Sequence, residues 1–197
     1  MRRRKPLIAI AVLIFVVVSV AGCNWQKSET VDKTPLPAVA APPYICDHIP
    51  LQAVELATGL HDPLVRDDLQ LSDRDGSCAV YEPTGEKWKV MEVLLSSVTS
   101  VEDIDEEVAH GAKRLQQIVP GWDGYYFSKP YGNGSDHAGY TRAVATLMRG
   151  DTSLVVEIIR GPQGRDTAAD AVALMRLIGP KLAAGVGTPS SSPTKEG

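Results

Sequence analysis

The chain has 197 residues, 24 acidic against 20 basic side chains, a formal charge of −4, and three cysteines among 44% hydrophobic residues. This length holds one ordinary domain with its flanks. The acidic balance disfavours nucleic acid as a partner, because phosphate binding needs a surplus of Lys and Arg.

Residues 2–5 are Arg-Arg-Arg-Lys, followed by an apolar run from Leu7 to Val20 and then Ala21-Gly22-Cys23. The run has the length of a signal-peptide core and is shorter than the roughly 20 residues of a spanning helix. Small residues before a cysteine form a lipobox, whose thiol takes a diacylglycerol. Residues 1–22 therefore read as a lipoprotein signal peptide. The mature chain would begin at Cys23, lipid-anchored on the extracytoplasmic face of the cell membrane. Cleavage removes four basic residues and leaves 16 against 24 acidic ones, a formal charge of −8. Such a domain is repelled by anionic lipid, so the membrane partner would be reached through the acyl chains alone.

With Cys23 assigned to lipid, Cys46 and Cys78 remain. In an oxidising compartment an even remainder pairs, and a Cys46–Cys78 disulfide is expected. Neither cysteine has a second cysteine or a histidine at metal-ligand spacing, and no metal or other cofactor is expected.

Residues 23–43 carry the lipidated cysteine and a Pro-rich stretch, with Pro35, Pro37, Pro42 and Pro43, that reads as an extended tether of at most about 60 Å. Residues 44–184 form a single globular domain. Residues 185–197 are Gly, Ser, Thr and Pro with little apolar mass, a disordered tail.

Within the domain, Pro50 to Thr58 reads as a helix ended by Gly59. The stretch from His61 to Gly76 contains Asp62, Asp67, Asp68, Asp73 and Asp75; the calcium-loop spacing is incomplete, and a solvated loop is expected. Ser77 to Glu82 and Lys87 to Ser97 read as a hairpin, the second strand apolar on both faces and so central. Val101, Ile104, Val108, Ala112, Leu115 and Val119 recur at helical spacing and predict a long helix over 101–119, with Thr99 and Glu102 as a capping box. Tyr140 to Met148 and Thr152 to Arg160 form a second hairpin about Arg149-Gly150-Asp151. A helix capped by Asp166 or Thr167 closes the domain near Leu182. The order α-β-β-α-β-β-α, with a possible extra strand at 125–127, predicts an α+β fold: an antiparallel sheet of about four to five strands packed by a long central helix and a C-terminal helix, mainly on one face.

The lipobox, the Pro-rich tether, Cys46-Asp47 before a short helix, Gly76-Ser77-Cys78 opening a strand, Val119-Pro120-Gly121, Gly132 to Ala138 before a strand, and the hairpin at 149–156 with its closing helix form one arrangement. It resembles the small actinobacterial lipoproteins of the family named domain of unknown function 3558. The resemblance implies a surface lipoprotein with a disulfide and lends no reaction.

No catalytic motif is present. His48, His61, His110 and His137 show no paired ligand spacing, and the adjacent Ser135-Asp136-His137 cannot adopt triad geometry. A non-enzyme is expected. The unusual stretch is 121–139, where Trp122, Tyr125, Tyr126, Phe127 and Tyr131 lie among glycines. They can cap the core. Alternatively, Trp122, Tyr125, Tyr126 and Tyr131 form a ligand site, with Trp122, Tyr126 and Tyr131 rimming a pocket for a lipid or glycan. They can also anchor an envelope protein on an exposed patch.

Overall fold

The computed structural model describes residues 32–69, 75–97, 104–131 and 140–186. The export signal with Cys23, the start of the tether, Asp73, the capping box at Thr99, the loop holding His137 and the tail beyond Val186 lie outside the described residues.

Two short strands, Tyr44–Ile45 (β1) and Ile49–Pro50 (β2), pair antiparallel and lead into helix α1, Leu51–Thr58. Strands β3 (Leu64–Asp67), β4 (Gly76–Tyr81) and β5 (Lys89–Ser97) follow, then helix α2 (Ile104–Ala109). Next come β6 (Lys113–Arg114), β7 (Asp123–Pro130), β8 (Thr141–Arg149), β9 (Thr152–Gly161) and helix α3 (Thr167–Gly185). Strands β3 to β9 form one sheet in the order β3-β4-β5-β9-β8-β7-β6, with antiparallel neighbours throughout. The class is α+β, as the sequence pattern predicts. The sheet is larger than the expected four to five strands, and its order is set by β9 inserting between β5 and β8.

Register explains the core. Met91 pairs with Ile158, Val93 with Val156 and Leu95 with Leu154, while Ala145 and Leu147 oppose Val156 and Leu154 from the other side. Side chains alternate along a strand, so these residues share one face. Helix α3 lays Ala171, Leu174, Met175, Ile178 and Leu182 over that face, all fully buried, and α1 adds Ala53, Val54 and Ala57. Each buried Leu, Ile, Met or Val side chain among them contributes about 1.5–3 kcal/mol. Asp166 caps α3 by accepting from the Ala169 N–H at 3.0 Å. Among the described residues no helix is long and apolar enough to cross a membrane.

The expected long helix over 101–119 is corrected. Among the described residues it is a six-residue helix, α2, followed by a turn at Gly111 with φ +103° and by strand β6. Its apolar residues serve two faces. Ile104 and Ala112 pack with Tyr125 and Met148 in a small cluster, whereas Leu115, Ile118 and Val119 join the main core. The segment thus wraps the β6–β7 edge, and pairing of Lys113 and Arg114 with Tyr126 and Tyr125 overrides helix propensity. A second correction falls at 61–76, where β3 adds an edge strand to β4 in place of a solvated loop.

The Cys46–Cys78 disulfide is present, with Cα atoms 6.1 Å apart. It ties the turn after β1 to β4. Closing a loop across 32 positions stabilises the fold by about 3–4 kcal/mol on the chain-entropy account.

Candidate functional site

Among the described residues, the aromatic stretch is divided between the main core and a small cluster on the far face of the sheet. Trp122 is 1% exposed and belongs to the main core, with the Arg149 guanidinium 5.0 Å from its ring. Strand β7 then sends neighbouring side chains to opposite faces. Tyr126 leans on the main core, while Tyr125 is buried in the small cluster on the far face, stacked on Phe127 at 6.4 Å. Gly124 precedes them, and a Cβ there would come within 2.2 Å of the Thr146 carbonyl oxygen. Tyr131 is half-buried, and its N–H donates to the Tyr140 carbonyl at 3.0 Å. Among the described residues Trp122 and Tyr126 both pack with the main core, and strand alternation sends Tyr125 to the other face.

A cleft at the end of α1 has the better-built geometry. On β9, Leu154, Val156 and Ile158 face the helices, and Arg160 follows where the β8–β9 register shifts between Ile158 and Gly161. It is a cation at the end of an apolar row. Its side chain is 10% exposed, and Nη1 donates to Glu82 Oε1 at 3.2 Å. The guanidinium lies 4.3 Å from the Tyr140 ring centre and 5.7 Å from that of Trp88. Its Nε–H is buried without an acceptor among the described residues. The cleft encloses about 250 Å³, with Thr58, Gly59 and Leu60 on one side and Glu82, Val90, Tyr140, Pro162 and Gln163 around Arg160.

Local sequence builds these walls. Gly59 terminates α1 in the left-handed region, with φ +71°, and its N–H donates to the Glu55 carbonyl at 2.7 Å. A side chain there is disfavoured by that φ and would also press on Pro162 at 3.0 Å. The Glu82 N–H donates to the Trp88 carbonyl at 3.0 Å, closing the β4–β5 loop and setting both side chains beside Arg160. Sequence reasoning missed Glu82, Trp88, Tyr140 and Arg160. The available signal was Arg160 itself, a charge at the apolar parity of β9.

A second hollow of about 450 Å³ lies where Lys33, Pro35 and Leu36 meet the start of α3 at Arg165, Asp166 and Asp170. It is a seam between the tether and the domain. Among the described residues, no three His, Cys, Asp or Glu side chains gather as a metal set. No family model, no curated protein and no solved structure matches the chain.

Proposed function

We propose that this chain is a lipoprotein anchored through Cys23 to the extracytoplasmic face of the cell membrane, similar to the lipoproteins of domain of unknown function 3558. Its domain is a non-catalytic ligand-binding module of the cell envelope. The observation that carries the reading is the Cys46–Cys78 disulfide. It fits an oxidising compartment, and of the three cysteines it leaves only Cys23, at the end of the lipobox, for another chemistry. The Arg160 cleft supports ligand binding. The alternative, a protein-docking module, drew on exposed aromatics at 122–131, and the burial of Trp122 and Tyr125 removes that support.

Metabolic labelling with a palmitate analogue tests the anchor. Wild-type protein takes the label and fractionates with membranes. Cys23→Ala takes none and is lost from the lipid-modified pool. Label retained by Cys23→Ala, or a full-length chain found in the cytosol, would sink the proposal.

A further inference from the structure

We infer that the Arg160 cleft is a site for a free α-amino acid bound as its zwitterion, with the ligand carboxylate on the Arg160 guanidinium and the ligand ammonium on Glu82. The inference rests on the ligand-binding reading above and names its ligand class.

Charge makes the first selection. Arg160 and Glu82 both line the cleft, with Nη1 and Oε1 3.2 Å apart. The wall therefore presents a positive and a negative charge side by side, without net charge. A ligand with one anionic group is drawn to Arg160 and repelled by Glu82, and a ligand with one cationic group meets the reverse. A zwitterion laid against the pair in the opposite sense is attracted at both ends. Both of its contacts are hydrogen bonds between charged groups, which are stronger than those a neutral amide or polyol would make there.

Hydrogen-bond chemistry makes the second. A guanidinium only donates and an ionised carboxylate only accepts. The ligand has the matching set, since its carboxylate only accepts and its ammonium only donates. Glu82 accepts from Nη1. Away from that bond lies the edge formed by Nε and Nη2, the fork on which a carboxylate binds arginine through two hydrogen bonds. On that edge the Nε–H is buried and has no acceptor among the described residues. The Arg160 side chain is 10% exposed and lies over the Tyr140 ring at 4.3 Å, so little side-chain freedom is lost on binding. The Glu82 side chain is 28% exposed, and one bond to Arg160 leaves most of its acceptor capacity.

Shape makes the third. Leu60, Val90 and Pro162 also line the cleft and give apolar surface for an aliphatic side chain. The volume of about 250 Å³ falls just below the roughly 300–1,000 Å³ of drug-sized sites. It suits one small amino acid and is too small for a long acyl chain or a peptide.

The test is isothermal titration calorimetry on the full chain in a neutral detergent. The probes are both enantiomers of alanine, valine and leucine, with their N-acetyl derivatives as single anions and their methyl esters as single cations. At least one free amino acid is expected to bind, about tenfold tighter than either of its derivatives. Glu82→Gln keeps the shape and removes the ammonium partner. It weakens the zwitterion about tenfold and turns the preference toward the N-acetyl derivative. Arg160→Lys keeps the charge without the fork and weakens the zwitterion about tenfold or more. Melting temperatures of both variants check that they are folded, and Glu82→Gln, at the more exposed residue, decides alone if Arg160→Lys does not fold. Absence of heat from every amino acid, a derivative that binds wild type as tightly as its parent, or unchanged affinity and preference in folded Glu82→Gln overturns the inference. Native mass spectrometry of envelope-purified protein separates the two levels. A retained small molecule other than an amino acid, held equally by Glu82→Gln, removes this site and leaves the binding module standing. A chain that binds no amino acid, comes bare and crosslinks to a protein neighbour removes both.

Discussion

Trp122 shows how one residue changes meaning between sequence and structure. Its neighbours are Gly121, Asp123 and Gly124, the surroundings of an exposed recognition loop. Its indole is instead among the largest fully buried side chains, covered on one side by the Arg149 guanidinium at 5.0 Å. Removing it leaves a cavity and loses a cation–π contact. Trp122→Ala is expected to lower the unfolding free energy by about 3–5 kcal/mol, read from urea denaturation midpoints. Ligand binding at the Arg160 cleft stays unchanged under native conditions. A loss below about 1 kcal/mol would return Trp122 to the surface.

At the scale of elements, the β1–β2 turn is constrained from several sides. Cys46 and Asp47 both adopt positive φ, at 45° and 59°, and Cys46 is bonded to Cys78 in β4. The turn holds His48 half-buried, with Nδ1 lacking a partner among the described residues. Burial, then the charge of Lys181, pushes the imidazole below its ordinary 6.5, against opposing pulls from Asp47 and Asp67. The unfolded chain therefore takes up the proton first as pH falls. This contribution to stability is complete above about pH 6.5 and is lost as pH drops through the lower folded-state value. His48→Gln removes the titration. Urea midpoints measured from about pH 7.5 down to pH 5 should fall less steeply in the variant than in wild type. Parallel slopes would show that His48 does not contribute.

For the whole molecule, the decisive contact joins tether and domain. Arg165 grips Asp170 with both sides of its fork, Nε to Oδ2 at 2.8 Å and Nη2 to Oδ1 at 2.7 Å, and the two side chains are 5% and 9% exposed. Its remaining Nη1 donates to the carbonyls of Asp32 and Thr34, the latter at 3.1 Å, and Leu36 packs on the core. The end of the tether is thus part of the domain, where the composition of 23–43 reads as free spacer. Arg165→Met leaves Asp170 buried and unpaired, a loss of about 3–5 kcal/mol. Arg165→Lys keeps a charge but not the fork. Lys33 is exposed, and both variants free the backbone flanking it from Arg165, so a lysine-specific protease should cut there faster than in wild type while the remaining domain resists. Equal cleavage rates at Lys33 in all three proteins would show that Arg165 does not hold the tether.

Local patterns determined much of this by themselves. Two apolar runs around Gly150 specified the β8–β9 hairpin, the Pro50–Gly59 stretch specified α1, the capped repeat after Asp166 specified α3, and cysteine parity specified the disulfide. Each depends on neighbours in the chain, through side-chain period, helix termini, or a count of thiols. Three things were decided only in the tertiary structure. The segment 104–119 has helical spacing, yet it divides its apolar residues between two faces of a sheet whose edge it wraps. The buried fate of Trp122 depends on what α3 and β8 bring against it. The cleft unites Gly59, Glu82, Tyr140 and Arg160 from distant parts of the chain, because β9 inserts between β5 and β8 and brings those parts together. Periodicity reports the face on which a residue lies; what that face meets is set by long-range strand pairing, which no local pattern encodes.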